Sequence, residues 1–140
     1  MKIRVKYHDD GIKISQAHQG EWIDLMSAED VEMKAGEFRL ISLGVSIELP
    51  DGFEALVVPR SSTFKRYHIL QANSVGVIDN AYCGDNDIWR FPAIAMTDTV
   101  IHKYDRIAQF CIQPAQGQIY IEAVEHLDNT DRVGFGSTGR

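Results

Sequence analysis

Hydrophobic and polar residues alternate with a period of two along much of the chain. Ile3, Val5 and Tyr7 share one face, as do Val45, Ile47 and Leu49, then Phe53, Ala55 and Val57, and later Ile119 and Ile121. Successive side chains of an extended strand point to opposite faces, so these runs predict short strands. Between the runs stand Ala35-Gly36, Pro50-Asp51-Gly52, Tyr82-Cys83-Gly84-Asp85 and Gln116-Gly117, residue types that favour turns. Short strands punctuated in this way predict an all-β sandwich or barrel. No long stretch carries a helical period. One helix of about two turns is expected after Arg60, where Ser61, Ser62 and Thr63 offer N-cap oxygens ahead of Phe64-Lys65-Arg66-Tyr67. There is no internal repeat and no linker.

The pattern stops near the end. From Asp128 to Arg140 the large apolar residues are Val133 and Phe135, while Gly134, Gly136 and Gly139 loosen the backbone. The chain is therefore divided into a β-rich core, residues 1–127, and a glycine-rich C-terminal arm, residues 128–140. Fully extended, such an arm spans at most about 45 Å, enough to cross onto a neighbouring subunit.

Composition narrows the picture. A chain of 140 residues makes one domain that buries about two-thirds of its unfolded surface, so metal or disulfide staples are optional. The 14 Lys+Arg against 20 Asp+Glu leave a net charge of -6, which argues against stable nucleic-acid binding or an anionic membrane as partner. No apolar run approaches the ~20 residues that cross a bilayer, and the start of the chain has no signal-peptide core, so a soluble cytoplasmic protein is expected. Cys83 and Cys111 lack the paired spacing of a zinc or redox motif, and the five histidines show no H-x-x-x-H pair.

Three segments carry candidate chemistry. In Val57-Val58-Pro59-Arg60-Ser61-Ser62-Thr63 a strand ends at proline and hydroxyls follow at a helix start. Unpaired N–H groups there suit phosphate, with Arg60 and Ser61 adding donors. Read alone, the segment is more simply an N-cap beside a surface arginine. In Asn73 to Asp85 an aspartate follows an apolar strand end, with Tyr82 three residues on and a glycine turn after it. Asp79 stands where a carboxylate takes a proton from water and Tyr82 where a ring stacks; an Asx turn with a packed tyrosine is the plainer alternative. The third, Arg132 to Arg140, alternates glycines with hydroxyls between arginines. It reads as an anion nest or as a solvated tail.

Taken jointly, these segments, with Trp22-Ile23-Asp24-Leu25-Met26-Ser27-Ala28 and Asp105-Arg106-Ile107-Ala108-Gln109-Phe110, resemble in order and spacing the five motifs of the trimeric dUTP pyrophosphatase (dUTPase) family, from about residue 20 to the C-terminus. The resemblance implies a β-rich jelly roll with one short helix, a homotrimer whose active sites are shared between chains, and hydrolysis of dUTP to dUMP and pyrophosphate with Mg²⁺. It implies that Asp79 positions and deprotonates the attacking water. Asn73 and the backbone of Gly76, Val77 and Ile78 would read the uracil edge, Tyr82 would exclude a 2′-hydroxyl, and Phe135 would lie over the base. Arg60, Ser61, Ser62 and Gln109 would serve the phosphates, Arg132, Ser137 and Thr138 the γ-phosphate, and Asp24 a water on the metal.

Some positions depart from the family pattern. Ser62 stands where many members have glycine, Tyr104 replaces a usual glycine, and Cys83 takes a position more often basic. The segment from Asp85 to Pro92 is longer than usual, with Trp89 and Phe91 expected in the core or else in a niche near the trimer interface or the lid. Val133 replaces a glycine and Arg132 lies close to Phe135, which leaves Arg140 as a substitute. Two other readings on the same fold are a dCTP deaminase relative and a nucleotide-responsive regulatory binding protein.

Overall fold

A computed structural model describes residues 1–16, 20–134 and 136. Eleven strands and one helix run in the order β1 (Arg4–Tyr7), β2 (Ile23–Met26), β3 (Val31–Met33), β4 (Phe38–Ser42), β5 (Val45–Glu48), β6 (Phe53–Pro59), α1 (Thr63–Tyr67), β7 (Ile69–Gln71), β8 (Gly76–Ile78), β9 (Arg90–Ala95), β10 (Thr99–Ile101) and β11 (Arg106–Pro114). The all-β expectation with one short helix holds.

All strand pairings are antiparallel. Sheets in the orders β2-β11-β6-β8 and β4-β9-β7 are joined by the two-stranded pairs β1-β5 and β10-β3. The period of two does what it predicts. β9 alternates strictly, with Phe91, Ala93 and Ala95 buried, and Ala55 and Val57 of β6 are buried as well. Trp89 and Phe91 are core residues, and Trp89 meets Phe110 of β11 edge-on at 5.0 Å between ring centroids, an arrangement that suits the ring quadrupoles.

β11 carries a bulge. Against β2, Arg106 pairs with Met26 but Ala108 with Leu25, which leaves Ile107 without a partner. Residues three apart in a regular strand face opposite ways; the extra residue puts Arg106 and Gln109 on the same face, beside Asp24.

Two local expectations need correction. The helix is one turn and a fraction, not two, and Ser62 at its N-cap makes no side-chain capping bond. Thr63 does the tying instead: its Oγ1 accepts from Arg60 N at 2.9 Å and donates to Ile107 O at 2.8 Å. The helix ends at His68, in the left-handed region at φ 52, whose N–H donates to Phe64 O. Ile119 and Ile121, expected in a strand, lie in none. Beyond Pro114 no described residue belongs to a helix or strand and all are exposed, including Ile119, Ile121 and Leu127. Their alternation is that of a strand, but they pair with no other strand among the described residues of this chain.

Candidate active site

The hairpin around β8 forms the first half of the site. β8 pairs with β6 on one side only, as the outer strand of its sheet. Its free edge borders an open pocket of about 380 Å³ lined by Asn73, Gly76, Val77, Ile78, Asp79 and Tyr82, with Val57 and Trp89 behind and Leu40, Arg90 and Pro92 from the other sheet. All the residues expected to read a base and sugar, Phe135 apart, thus meet in one place. Asp79 follows the last residue of β8. Its Oδ1 accepts from Ala81 N at 2.7 Å, and its carbonyl accepts from Tyr82 N. This is the Asx turn anticipated as the plainer alternative; it orients the carboxylate and leaves Oδ2 for another partner. The hydroxyl of Tyr82 donates to Ile88 O at 3.1 Å, which fixes the ring at the pocket wall.

The second half lies at the other end of the four-stranded sheet, where β6 gives way to the helix. Register places Asp24, Gln109 and Val58 abreast, and Arg60 follows where β6 ends. Arg60 Nε donates to Asp24 Oδ1 at 3.0 Å, Arg106 Nη1 lies 3.5 Å from Asp24 Oδ2, and Arg60 Nη1 donates to Arg106 O at 3.5 Å. Gln109 Nε2 donates to Pro59 O. Arg60, Arg106 and Ser62 border a polar pocket of about 350 Å³ together with Arg66, Tyr67, Tyr104 and Asp105. Three guanidiniums around one cleft suit a polyanion. Burial and the nearby Asp105 carboxylate push the Tyr67 phenol above its ordinary value, so at neutral pH it remains a neutral donor. Ser61 is exposed and next to this pocket in sequence.

Asp24 is a lone carboxylate. Among the described residues no group of three or more His, Cys, Asp or Glu converges on a point that would hold a metal. With both oxygens facing guanidiniums, Asp24 fits a cation only if that cation brings most of its own ligands and negative charge with it.

Tyr104 sits at φ 75, where glycine alone is free of strain. Its hydroxyl donates to Asp9 Oδ1 at 2.8 Å, and Lys103 Nζ lies 2.6 Å from Asp9 Oδ2. These bonds pin the turn that leads into Arg106. They also hold the Asp9 carboxyl down at about 2, chiefly through Lys103, then Tyr104 and the N–H of Gly11.

The two halves are far apart within one chain. Ile78 pairs with Ala55, so Asp79 is level with Glu54, and Arg60 is six positions further along, about 20 Å at ~3.3 Å per residue. Gly76 and Ile78 share the inner face with Val57 and Ala55, whereas Asp24 and Gln109 share the outer one with Val58. Arg132 lies in the exposed C-terminal segment, away from both pockets. Phe135, Ser137, Thr138 and Arg140 lie outside the described residues. Sequence reasoning missed Gln71, a buried amide beneath the hairpin, and Arg66 and Tyr67 in the polar cleft. For Gln71 the signal was a polar residue on the inward face of a strand that otherwise buries Ile69.

Comparison with known proteins identifies the family. A family model described as dUTPase matches residues 19–139. The SPbeta prophage-derived deoxyuridine 5'-triphosphate nucleotidohydrolase YosS of Bacillus subtilis (strain 168) is 53% identical over 140 residues, 99% of each chain. The deoxyuridine 5'-triphosphate nucleotidohydrolase of Clostridium acetobutylicum is 37% identical over 143 residues, covering 99% of this chain and 97% of its own. Among solved structures, a dUTPase variant of Staphylococcus bacteriophage 80alpha with dUpNHpp has the same fold, with a TM-score of 0.83 over 99% of both chains at 21% identity. The dUTPase from Streptococcus mutans gives a TM-score of 0.74 at 25% identity, over 88% of this chain and 100% of its own. The matched region contains both the hairpin pocket and the arginine-lined cleft, and with agreement at this level over the whole length the chain belongs to the dUTPase family.

Proposed function

We propose that the chain hydrolyses dUTP to dUMP and pyrophosphate, in a homotrimer whose active sites are shared between subunits. The observation that carries this reading is the hairpin pocket, where an oriented carboxylate, a tyrosine and an unpaired strand edge surround a space that suits a nucleoside. The free edge of β8 offers backbone donors and acceptors to the uracil edge, with Asn73 beside them. Tyr82, held by Ile88, packs on the deoxyribose and leaves no room for a 2′-hydroxyl. Asp79 Oδ2 takes the proton of a water aligned on the α-phosphorus, and the bond from that phosphorus to the bridging oxygen of the β-phosphate breaks. Carboxylate catalysis of this kind contributes about 10²–10⁴-fold.

The separation of the two halves supports sharing. In-line attack requires reacting atoms about 3–3.5 Å apart, whereas Asp79 and Arg60 of one chain stand about 20 Å apart along the sheet. A nucleotide seated at one chain's hairpin meets Arg60, Ser61, Ser62 and Gln109 of a neighbour. The exposed Ile119, Ile121 and Leu127 find their cover in that assembly, and the arm of residues 128–140 brings Phe135, Arg132, Ser137 and Thr138 over the bound nucleotide. Mg²⁺ carried on the triphosphate, when bound, neutralises charge on the phosphate oxygens; Asp24 would hold one of its waters, with Arg60 orienting that carboxylate.

Pyrophosphate release from dUTP, dTTP, dCTP and UTP with Mg²⁺ tests the reading, with ammonia release from dCTP measured alongside. Release from dUTP alone is expected. Asp79→Asn should cut turnover by about 10³-fold or more while nucleotide binding persists; an Asp79→Asn enzyme as fast as its parent removes Asp79 as the base, and ammonia from dCTP overturns the reaction.

A further inference from the structure

We infer that Gln71 is a positioning residue that fixes which way the Asn73 amide points, and so makes the pocket accept uracil and refuse cytosine. The inference rests on the reading that this pocket takes the base of dUTP.

Gln71 closes β7 in one sheet and reaches across to the other. Its Nε2 donates to the backbone carbonyl of Val57 on β6 at 3.0 Å and to Asn73 Oδ1 at 3.0 Å. The direction of this chain of bonds follows from its first member. A backbone carbonyl only accepts, so the nitrogen of the Gln71 amide must face Val57; the reverse orientation would set two oxygens against each other. The second hydrogen of that nitrogen then demands an acceptor at Asn73, which must turn its oxygen inward. Asn73 therefore presents its two Nδ2 hydrogens to the pocket. Gly76 leaves room for the arrangement: a Cβ there would lie 3.3 Å from Gln71 Nε2.

A donor at the pocket edge matches the 4-oxo oxygen of uracil. Cytosine carries an amino group at that position, so donor would face donor, and a pocket with a misdirected polar group discriminates strongly. The backbone edge of β8 has both donors and acceptors, so it is the side-chain amide whose polarity needs to be set. Packing does not explain the choice of glutamine. Gln71 is 7% exposed, and its Oε1 accepts no hydrogen bond from the described residues. A buried unpaired carbonyl costs stability, and an apolar side chain would fill the same space without that cost.

The test compares kcat and KM for dUTP and dCTP in the full-length protein, in Gln71→Met and in Asn73→Asp. Gln71→Met keeps the length and removes the bonds. The ratio of kcat/KM for dUTP over dCTP should fall by about 10- to 100-fold, through a raised KM for dUTP, with kcat changed less than about threefold because Asp79 is untouched. Thermal unfolding should be little changed. Asn73→Asp, on an exposed residue, keeps the bond from Gln71 and presents an acceptor to the pocket, so it should move the same ratio in the same direction. Equal losses on both nucleotides in the two variants, or a fall in kcat with KM unchanged in Gln71→Met, would overturn the inference and leave Gln71 as a structural link between sheets. If the unaltered protein releases no pyrophosphate from dUTP, the proposed function fails first and the inference falls with it.

Discussion

Replacing Asp24 with asparagine separates what this carboxylate does for the fold from what it does for the reaction. In the free protein its contribution to stability comes from two pairings, Arg60 Nε at 3.0 Å and Arg106 Nη1 at 3.5 Å, around a side chain 32% exposed. Exposed ion pairs contribute about 0.2–1 kcal/mol and hydrogen bonds to charged groups about 1.5–3 kcal/mol. Partial exposure screens the first kind, and the asparagine oxygen keeps an acceptor for Arg60, so a loss of about 1 kcal/mol is expected. For a chain of this size that lowers Tm by about 3–5 °C. The catalytic effect differs in kind. Removing one negative charge between two arginines leaves the cleft more cationic, so dUTP binding should be kept, whereas the group proposed to receive a water of the metal is gone. Loss of such an outer contact typically costs about 10–100-fold in metal affinity, and half-saturating Mg²⁺ should rise by that factor. The assay is pyrophosphate release at saturating dUTP titrated with Mg²⁺, alongside unfolding of the nucleotide-free protein at one concentration. A variant with the lower Tm but the parent's Mg²⁺ dependence would refute the metal role and leave Asp24 as the holder of Arg60.

Two further outcomes are expected. The Asp9 carboxyl lies below its unfolded value of 3.8, at about 2, because Lys103, Tyr104 and the Gly11 N–H bind its charged form; the stability these bonds contribute is complete above about pH 4 and lost as pH falls toward 2. Acid unfolding followed by circular dichroism should be shallower over that range in Asp9→Asn, and superimposable acid limbs would contradict the assignment. Deleting residues 128–140 should leave Tm nearly unchanged, since every described residue there is exposed, while cutting kcat/KM for dUTP by about 10²-fold or more if the arm closes over the nucleotide as proposed; a truncated enzyme of full activity rules the arm out of the site.

Much of this molecule was legible from residue order. The strands over Arg4–Tyr7, Val45–Glu48 and Phe53–Pro59 follow from a period of two that any sheet must obey. Asp79 and Tyr82 stood out because an acidic residue directly after an apolar strand end, with a glycine turn beyond, is held in one orientation by its own backbone. Other features had no local signal. The bulge at Ile107 arises only where β11 is matched against β2, and nothing in Arg106-Ile107-Ala108-Gln109 announces it. Thr63, not Ser62, ties the helix start because Ile107 O happens to lie within its reach.

By itself the sequence determined the kinds of chemistry available and their local facing: which residues can donate, accept or neutralise, and which sit on alternate sides of a strand. Tertiary structure decided the rest. It put Asp24, Arg106 and Gln109 on one face, set Asn73 against Gln71, and placed the hairpin and the arginine cleft at opposite ends of a sheet. The reason is that a side chain's facing is a property of its neighbours along the chain, whereas register and the distance between strands depend on packing between segments far apart in sequence. The proposed sharing of one site between chains rests on this separation, which only the folded sheet reveals.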